Sequence, residues 1–326
     1  MLFAGDLGGT KTLLGLFERG NRRPRPVVSH AYPTQEFVSV TAILDAFARD
    51  VGAMLEIEAA AVGVAGPVVG QTARLTNIDW DVTAEEIGLR LDTRRVALMN
   101  DLEAMAHGVP VLRDDELVVL QRGAPALDGN AVVIAAGTGL GEAYLHRIAE
   151  RFVPVPSEGG HADFAARTDR EIDFVRMLRE RDGRAEVEQV LSGPGLVNLH
   201  RFTHDGRECD AVRQLDTHQW PAAISEAALE GRCPACEEAL WMFVGAYGAE
   251  TGNLALRGVA TGGVFVGGGI APKILPALQS GRFMAAFRAK PPMTDLLSAM
   301  PVQVIMNPDT GLLGAAVAAE ELVRRT

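Results

Sequence analysis

The chain has 326 residues, 48% hydrophobic and 22% charged, so it is long enough for two domains and its composition excludes disorder over most of its length. Its 31 Lys and Arg residues against 42 Asp and Glu residues give a net charge of −11, which disfavours binding to nucleic acid or an anionic membrane. No apolar run reaches the roughly 18–20 residues of a membrane span and no leader pattern opens the sequence, so a cytoplasmic protein is predicted.

Strand-like apolar runs alternate with amphipathic stretches, which predicts an α/β protein. The predicted strands are Leu2–Gly5, Thr12–Phe17, Ala60–Val64, Val96–Met99, Leu117–Leu120, Ala131–Ala135, Glu142–Leu145, Phe152–Pro154, Val264–Val266 and Val302–Ile305. The predicted helices are Val40–Leu55, Leu102–Val109, Asp169–Arg181, Gly195–Thr203, Pro221–Leu229, Pro234–Leu256, Ala271–Leu278 and Thr310–Val323.

Pro110 and the polar stretch that follows it mark a domain boundary. Asp309 is expected to cap the last helix, and that helix is expected to pack on the first domain. The domains are therefore predicted as 1–111 plus 308–326, and 112–307. The polar, aperiodic segment Thr203–Trp220 is predicted to be an exposed loop.

The first candidate site is the segment Asp6-Leu7-Gly8-Gly9-Thr10-Lys11-Thr12, which lies between two predicted strands. Its paired glycines allow a tight turn whose N–H groups can hold phosphate, with hydroxyl donors from Thr10 and Thr12. Asp6 can orient Mg²⁺ through water, because magnesium prefers oxygen ligands. The alternative is a purely structural hairpin.

The second candidate is Asn100-Asp101, at the carboxyl end of a buried strand. Ligands of open α/β sheets bind at such ends. A carboxylate placed there can accept the proton of an attacking hydroxyl in phosphoryl transfer. The alternative is that Asp101 only caps the following helix.

The third candidate is Gly137-Thr138-Gly139-Leu140-Gly141, which also lies between two strands. The dinucleotide-binding fingerprint does not fit, because a strand rather than a helix follows, and the P-loop lysine is missing. A second glycine-rich hairpin in the chain indicates a clamp on a polyphosphate.

Two further segments carry polar or glycine-rich patterns. Glu158-Gly159-Gly160-His161 offers a carboxylate and an imidazole for vicinal sugar hydroxyls, and Glu188 is a candidate third partner, unless it lies on a solvated helix face. Gly267-Gly268-Gly269 leaves room for a flat nucleobase or ribose, or for close helix–strand packing. Glu158 with His161 is also compatible with half a metal site.

The three cysteines, Cys209, Cys233 and Cys236, argue against a disulfide framework. The pair Cys233-Pro234-Ala235-Cys236 resembles a zinc or redox motif, but zinc needs four ligands and no second cysteine pair exists. The prediction is a helix N-terminus with buried thiols.

In this order, these segments resemble the bacterial glucokinase family of the hexokinase and actin-like ATPase superfamily, nearly from end to end. The resemblance is carried by Asp6–Thr10, Leu75-Thr76-Asn77, Asn100-Asp101, Gly137–Gly141, Glu158–His161, Leu191-Ser192-Gly193-Pro194-Gly195-Leu196-Val197-Asn198-Leu199, Gly262–Phe265 and Gly311–Gly314. The resemblance implies an α/β, two-domain actin-like ATPase (ribonuclease H-like) fold with a cleft between a smaller and a larger α/β domain. It also implies a homodimer.

The resemblance implies an ATP-dependent kinase that phosphorylates the 6-hydroxyl of glucose, with Mg²⁺ as cofactor and Asp101 as general base. The residues implied to bind the sugar are Asn100, Glu158, His161 and Glu188. Those implied to bind the nucleotide are Asp6, Gly8, Gly9, Thr10, Thr138, Gly139, Gly267, Gly268 and Gly269, with Asp6 also near the metal.

The chain departs from the family pattern at Lys11, a position where close relatives often have Asn. Two other functions remain open at this point: a kinase of another hexose, and a non-catalytic sugar-sensing protein. The related repressor–kinases often carry an N-terminal DNA-binding segment and a cysteine-rich zinc motif. This chain opens on the phosphate hairpin, so a regulator is disfavoured.

Overall fold

A computed structural model describes residues 1–52, 56–75, 78 and 80–324. The strands are β1 (Leu2–Leu7), β2 (Lys11–Glu18), β3 (Arg25–Pro33), β4 (Ala59–Val64), β5 (Val68–Val69), β6 (Thr72–Arg74), β7 (Asp81–Thr83), β8 (Val96–Asn100), β9 (Leu117–Gln121), β10 (Ala131–Ala136), β11 (Leu140–Ile148), β12 (Arg151–Ser157), β13 (Gly263–Gly267) and β14 (Val302–Ile305). The α-helices are α1 (Val40–Val51), α2 (Ala84–Leu91), α3 (Asp101–Gly108), α4 (Asp169–Asp182), α5 (Gly193–Thr203), α6 (Trp220–Leu229), α7 (Pro234–Gly258), α8 (Leu275–Leu278), α9 (Arg282–Arg288), α10 (Thr294–Ala299) and α11 (Thr310–Arg324).

The chain forms two compact units. The first comprises residues 1–113, 152–156 and 307–326, and the second comprises residues 114–151 and 157–306. In the described part of the chain, no helix combines the length and the apolar character needed to cross a membrane.

The first unit is built on a sheet of strand order β3-β2-β1-β4-β8, in which β1, β4 and β8 are parallel and β2 is antiparallel to β1 and β3. Successive side chains of a strand point to opposite faces. One face packs against α1 and α2 through Phe3, Leu7, Val62, Ile43, Phe47 and Ile87. The other packs against α3 and α11 through Leu2, Ala4, Ala61, Ala104, Leu312 and Ala315.

Two glycines let α3 and α11 cross at very short distance. A Cβ on Gly314 would lie 1.7 Å from the carbonyl oxygen of Ala104, and one on Gly108 would lie 2.6 Å from that of Thr310. No side-chain carbon can occupy either position, because the obstructing atoms belong to the backbone. The position of α3, which carries Asn100 and Asp101 at its start, therefore depends on glycine in the last helix.

The second unit contains a sheet with β11, β10, β13, β14 and β9 as neighbours in that order. The strands β10, β13 and β14 are parallel, whereas β11 and β9 are antiparallel to their neighbours. The long helix α7 packs into the core of this unit, and the buried Tyr247 hydroxyl lies 3.3–3.4 Å from backbone atoms of Ala136, Ile134 and Gly267. The two strands that carry glycine-rich turns are thereby held together.

Every predicted strand is confirmed, with changes of a few residues at the ends, but β3 and β5–β7 were not predicted, nor were α2, α9 and α10. The predicted helix Val40–Leu55 ends at Val51, where Gly52 adopts φ 70°, and residues 53–55 lie outside the described residues, as do Thr76 and Asn77. Only Leu275–Leu278 of the helix predicted from Ala271 is α-helical. The prediction of an exposed loop at Thr203–Trp220 is wrong in part, because Val212 and Trp220 are buried in the core.

Candidate active site

The hairpin between β1 and β2 is confirmed, with Leu7 paired to Thr12. Its tip is closed by the N–H of Gly8, which donates to the carbonyl oxygen of Lys11 over 3.1 Å. A Cβ on Gly8 would lie 2.8 Å from that oxygen, so the turn requires glycine there. Thr10 is exposed at the tip.

Thr12 does not contribute to the tip, contrary to the expectation that its hydroxyl is a phosphate donor. Its side chain is fully buried, and its Oγ1 lies 2.9 Å from Oγ1 of Thr34. Thr34 also donates to the carbonyl oxygen of Gly8 over 2.8 Å. These two threonines fix the shape of the hairpin, and Thr10 is left as the hydroxyl at its exposed end.

Asp6, at the end of β1, lies in a strongly negative environment. Burial is the largest effect that raises the pKa of Asp6 to about 7, followed by the charges of Asp101 and Asp309, while Lys11 lowers it. A Cβ on Gly311, in the first turn of α11, would lie 2.8 Å from Asp6 Oδ2. This concentration of carboxylates is an environment that a bound cation would stabilise.

Asn100, and not Asp101, is the N-cap residue of α3. Asn100 Oδ1 accepts from the N–H of Leu102 over 2.8 Å, and its Nδ2 donates to the carbonyl oxygen of Gly66 over 3.3 Å. Asp101 is the first helical residue, and its Oδ1 also accepts from the N–H of Leu102, over 2.9 Å. The N-cap position therefore belongs to Asn100, and Asp101 is a half-buried carboxylate in the first turn of α3.

The second glycine-rich hairpin, between β10 and β11, is also confirmed. Within it the N–H of Gly137 donates to the carbonyl oxygen of Gly139 over 2.8 Å, and Thr138 is exposed. The N–H of Gly193 donates to the carbonyl oxygen of Gly137 over 2.8 Å, and Ser192 caps α5 by accepting from Gly195. The N-terminus of α5 therefore lies directly against this hairpin, where its dipole favours an anion.

Glu188 connects three parts of the second unit. Its Oε2 accepts from the N–H of Leu140 over 2.8 Å, and its own N–H donates to the carbonyl oxygen of Gly160 over 2.8 Å. The hydroxyl of Ser192 donates to the carbonyl oxygen of Glu188 over 2.7 Å. The alternative of a solvated helix face is wrong, because Glu188 precedes α5 and bonds the hairpin directly.

The turn that carries Glu158 and His161 requires glycine at position 160 and packs closely at position 159. A Cβ on Gly160 would lie 2.2 Å from the carbonyl oxygen of Leu140, and one on Gly159 would lie 2.1 Å from Oε2 of Glu142. The glycines therefore provide close packing of the turn on β11.

Glu158 and His161 are exposed on either side of these glycines. His161 Nδ1 lies 3.4 Å from Oε2 of Glu186, which is not among the predicted site residues. One ligand atom each from His161, Glu186 and Glu188 lies within 4.8 Å of the others. This part of the second unit thus presents several hydrogen-bonding groups to solvent, as recognition of a polyhydroxyl compound requires.

The glycines after β13 have different surroundings. Gly268 adopts φ 83°, and a Cβ on it would lie 2.3 Å from the carbonyl oxygen of Ala136, so packing accounts for this glycine. A Cβ on Gly269 would meet no atom within 4 Å. The space beside Gly269 is open, which is the feature expected of a surface that contacts a flat group.

Glu142 is fully buried on β11, and neither of its carboxylate oxygens has a hydrogen-bond partner among the described residues. Burial, followed by the charge of Glu250, raises the pKa of Glu142 to about 7, and Arg257 opposes this. In the unfolded chain the pKa of this carboxyl has the ordinary value for Glu, roughly 4.3. Stability is therefore expected to fall as the pH rises from about 4 to 7 and then to level off.

Glu142→Gln is expected to remove this loss of stability at rising pH, because the amide does not titrate. Relative to wild type, its free energy of unfolding should gain about 2–3 kcal/mol between pH about 4.5 and pH about 8. Urea titrations at the two pH values measure the gain, and Glu150→Gln, at an exposed site, is the control that should show none. Equal pH dependence of the Glu142 variant and wild type would mean that Arg257 keeps this carboxylate charged.

A family profile, a sequence relative and a solved structure each match the chain over nearly its full length. The family profile described as Glucokinase matches residues 3–322. The glucokinase of Nostoc sp. (strain PCC 7120) is 36% identical over 341 residues, with 99% of each chain covered. The crystal structure of a glucokinase from an Antarctic psychrotroph matches with a TM-score of 0.85 and 29% identity, over 98% of each chain.

A ROK family glucokinase from Streptomyces griseus, crystallised in complex with glucose and AMPPNP, matches with a TM-score of 0.66 and 22% identity. The match covers 98% of this chain and 99% of that one. At this identity the likeness bears on the fold alone.

Proposed function

Since this chain belongs to the glucokinase family, we propose that it transfers the γ-phosphoryl group of ATP to the 6-hydroxyl of D-glucose. The products are glucose 6-phosphate and ADP. The family match over nearly the whole chain is the observation that supports this function, and it also supports the α/β actin-like ATPase fold.

Asp101 is the general base in this proposal. It accepts the 6-hydroxyl proton while the hydroxyl oxygen attacks the γ-phosphorus and ADP leaves. Its place at the first position of α3 supports the role, because Asn100, and not Asp101, is the N-cap residue of that helix. Positioning and electrostatic stabilisation supply the rest of the acceleration.

Asn100, Glu158, His161 and Glu188 are the proposed sugar ligands. Exposure of Glu158 and His161 supports this proposal, as does the bonding of Glu188 to the turn between them through Gly160. Carboxylates accept from sugar hydroxyls, whereas the Asn100 amide and the imidazole can also donate.

The proposed nucleotide ligands lie in three glycine-rich segments. They are Asp6, Gly8, Gly9 and Thr10 in the first hairpin, Thr138 and Gly139 in the second, and Gly267, Gly268 and Gly269 for the adenosine. In the first hairpin the N–H of Gly8 is used within the turn, so we assign phosphate binding there to the N–H groups of Gly9 and Thr10 and to the Thr10 hydroxyl. The N-terminus of α5 beside Gly137 supports an anion at the second hairpin.

Mg²⁺ fits the donor set around Asp6, because oxygen ligands suit this ion and the charges of Asp101 and Asp309 make a bound cation favourable. Asp6 would hold the ion through water. The ion would neutralise charge on the phosphates.

We also propose that the protein is a cytoplasmic homodimer, with domains at residues 1–111 plus 308–326 and at 112–307. The packing of α11 on α3, β1 and β4 supports assignment of the last helix to the smaller domain. Sedimentation equilibrium measures the oligomeric state.

The proposed function is tested by ADP release from Mg-ATP with glucose, mannose, fructose, N-acetylglucosamine or no sugar. Release with glucose far above the others is expected. Preference for another sugar would keep the phosphoryl transfer and change the substrate. Sugar binding without ADP release from any of them would favour a sugar-sensing protein.

Glu158→Gln is expected to raise the KM for glucose by about tenfold, because an amide can no longer accept at both terminal atoms and a charged hydrogen bond is lost. Basal hydrolysis of ATP should remain unchanged. Glu150→Gln makes the same chemical change at an exposed turn of the same unit and should leave the KM as in wild type. A KM for glucose equal to that of wild type in the Glu158 variant would remove Glu158 from the sugar ligands.

A further inference from the structure

All three cysteines of the chain meet two histidines at one place in the second unit. His200 lies in the last turn of α5 and His204 directly follows that helix. Cys209 lies in the segment after it, while Cys233 and Cys236 lie at the start of α7. No part of the proposed kinase reaction uses these residues.

The ligand atoms are close enough for one ion. Those of His200, His204, Cys209 and Cys236 all lie within 4.8 Å of one another. The two sulfurs of Cys209 and Cys236 are 3.6 Å apart, and the Cys209 sulfur is 3.3 Å from Nε2 of His200. Nε2 of His204 is 3.9 Å from the Cys236 sulfur and 3.3 Å from that of Cys233.

These separations agree with tetrahedral coordination of zinc. With Zn–S near 2.3 Å and Zn–N near 2.0–2.1 Å, two sulfurs would lie about 3.8 Å apart and a nitrogen and a sulfur about 3.5 Å apart. A disulfide would require sulfurs about 2.05 Å apart. The observed distances therefore resemble the edges of a coordination tetrahedron.

One of the two histidine rings, that of His204, has the hydrogen-bond partner that metal-bound histidines usually have, and it stacks on the ring of His200 with centroids 3.8 Å apart. Nδ1 of His204 lies 2.8 Å from the carbonyl oxygen of His200, which can only accept, so the proton is on Nδ1 and the lone pair of Nε2 points toward the sulfurs. His200 is fully buried, and its Nδ1 has no hydrogen-bond partner among the described residues. The other ring nitrogen of His200, Nε2, faces the Cys209 sulfur and is the atom available to an ion.

Charge balance also favours a divalent ion. Cys236 is fully buried, and an isolated thiolate there would be costly. Two thiolates and one Zn²⁺ are neutral together. A mixed sulfur and imidazole set with tetrahedral spacing selects zinc among the common divalent metals.

We propose that this chain binds one structural Zn²⁺ through His200, His204, Cys209 and Cys236. The ion joins the end of α5 and the segment after it to the start of α7. Four protein ligands leave no open position, so the site is closed and takes no substrate. Cys233, at the N-cap of α7, lies beside the site and is outside the ligand set.

The test is metal analysis of the untagged full-length protein, purified under reducing conditions. About one zinc per chain is expected, falling below about a tenth in Cys209→Ser and His204→Gln. Cys233→Ser is the matched thiol control and should keep its zinc. A zinc content below about a tenth in wild type after incubation with Zn²⁺ and gel filtration would overturn the proposal, and loss of zinc from Cys233→Ser would overturn the ligand set.

Two measurements on the wild-type chain avoid variants that fail to fold. Removal of zinc by a strong chelator is expected to lower the melting temperature by roughly 5 °C or more, with recovery on re-addition of Zn²⁺. Replacement by Co²⁺ should give a thiolate-to-cobalt charge-transfer band and the visible absorption of a tetrahedral ion. Fewer than three free thiols in the denatured, unreduced protein would indicate a disulfide instead, and an octahedral cobalt spectrum would contradict the site.

Discussion

Asp101→Asn is expected to lower kcat by about 10²–10⁴-fold, the usual contribution of a general base. The amide removes the proton acceptor and preserves shape, and its Oδ1 can still accept from the N–H of Leu102. Because Asn100 is the N-cap residue, α3 should remain folded in the variant. The binding of glucose should persist, since the amide can still hydrogen-bond a hydroxyl. The assay is steady-state ADP release, with glucose binding followed by calorimetry.

The matched control is Asp92→Asn, in the same unit. Asp92 is exposed at the end of α2 in a left-handed conformation that asparagine accepts readily, so this variant should turn over as wild type does. Near-normal turnover of the Asp101 variant would remove Asp101 from the role of base. Loss of glucose binding together with turnover would instead make Asp101 a sugar ligand.

Gly314→Ala is expected to lower the free energy of unfolding by at least about 3 kcal/mol, the upper part of the usual range for overpacking. The added carbon would lie 1.7 Å from the carbonyl oxygen of Ala104, so α11 and α3 must separate. Since α3 begins at Asp101, kcat should fall as well. Urea unfolding and ADP release measure the two effects.

Gly245→Ala is the control for helix propensity. Gly245 lies inside α7, and its Cβ would meet only the flexible end of Arg167 at 3.3 Å. This change should stabilise the protein by up to about 1 kcal/mol, because alanine favours helix over glycine. Equal stabilities of Gly314→Ala and wild type would mean that the two helices can move apart at little cost.

The glycine-rich hairpins could be predicted because each has a local sequence signal. The first has two adjacent glycines between apolar runs, and the second has Gly-Thr-Gly between apolar runs. The edge strand β3 could not, since it contains Pro26 and Pro33 and most of its side chains are half-buried or exposed. The helix α2 was missed although Thr83 and Glu86 form a capping box that the sequence displays.

For the candidate site, the residue types could be read from the sequence, whereas their connections could not. The bonds from Glu188 to Leu140 and Gly160 join segments 28–48 residues apart, and no periodicity reports such contacts. The Ser192 cap was visible as a serine before Gly-Pro-Gly, but its contact with Glu188 was not. The Cys and His cluster could not be predicted from the cysteine spacing, because in the proposed zinc site two histidines, His200 and His204, replace a second cysteine pair.

The return of α11 to the first unit has a consequence for the order of synthesis. The apolar face that includes Leu2, Ala4 and Ala61 packs against α3 and also against α11, which is synthesised last. A ribosome adding roughly 5–20 residues per second needs tens of seconds to get from residue 113 to that helix. During this interval residues 114–306 can fold as they emerge, while the N-terminal sheet exposes the part of its apolar face that α11 later covers. A stop codon before α11 is therefore expected to destabilise the first unit, even though it removes none of the first hundred residues.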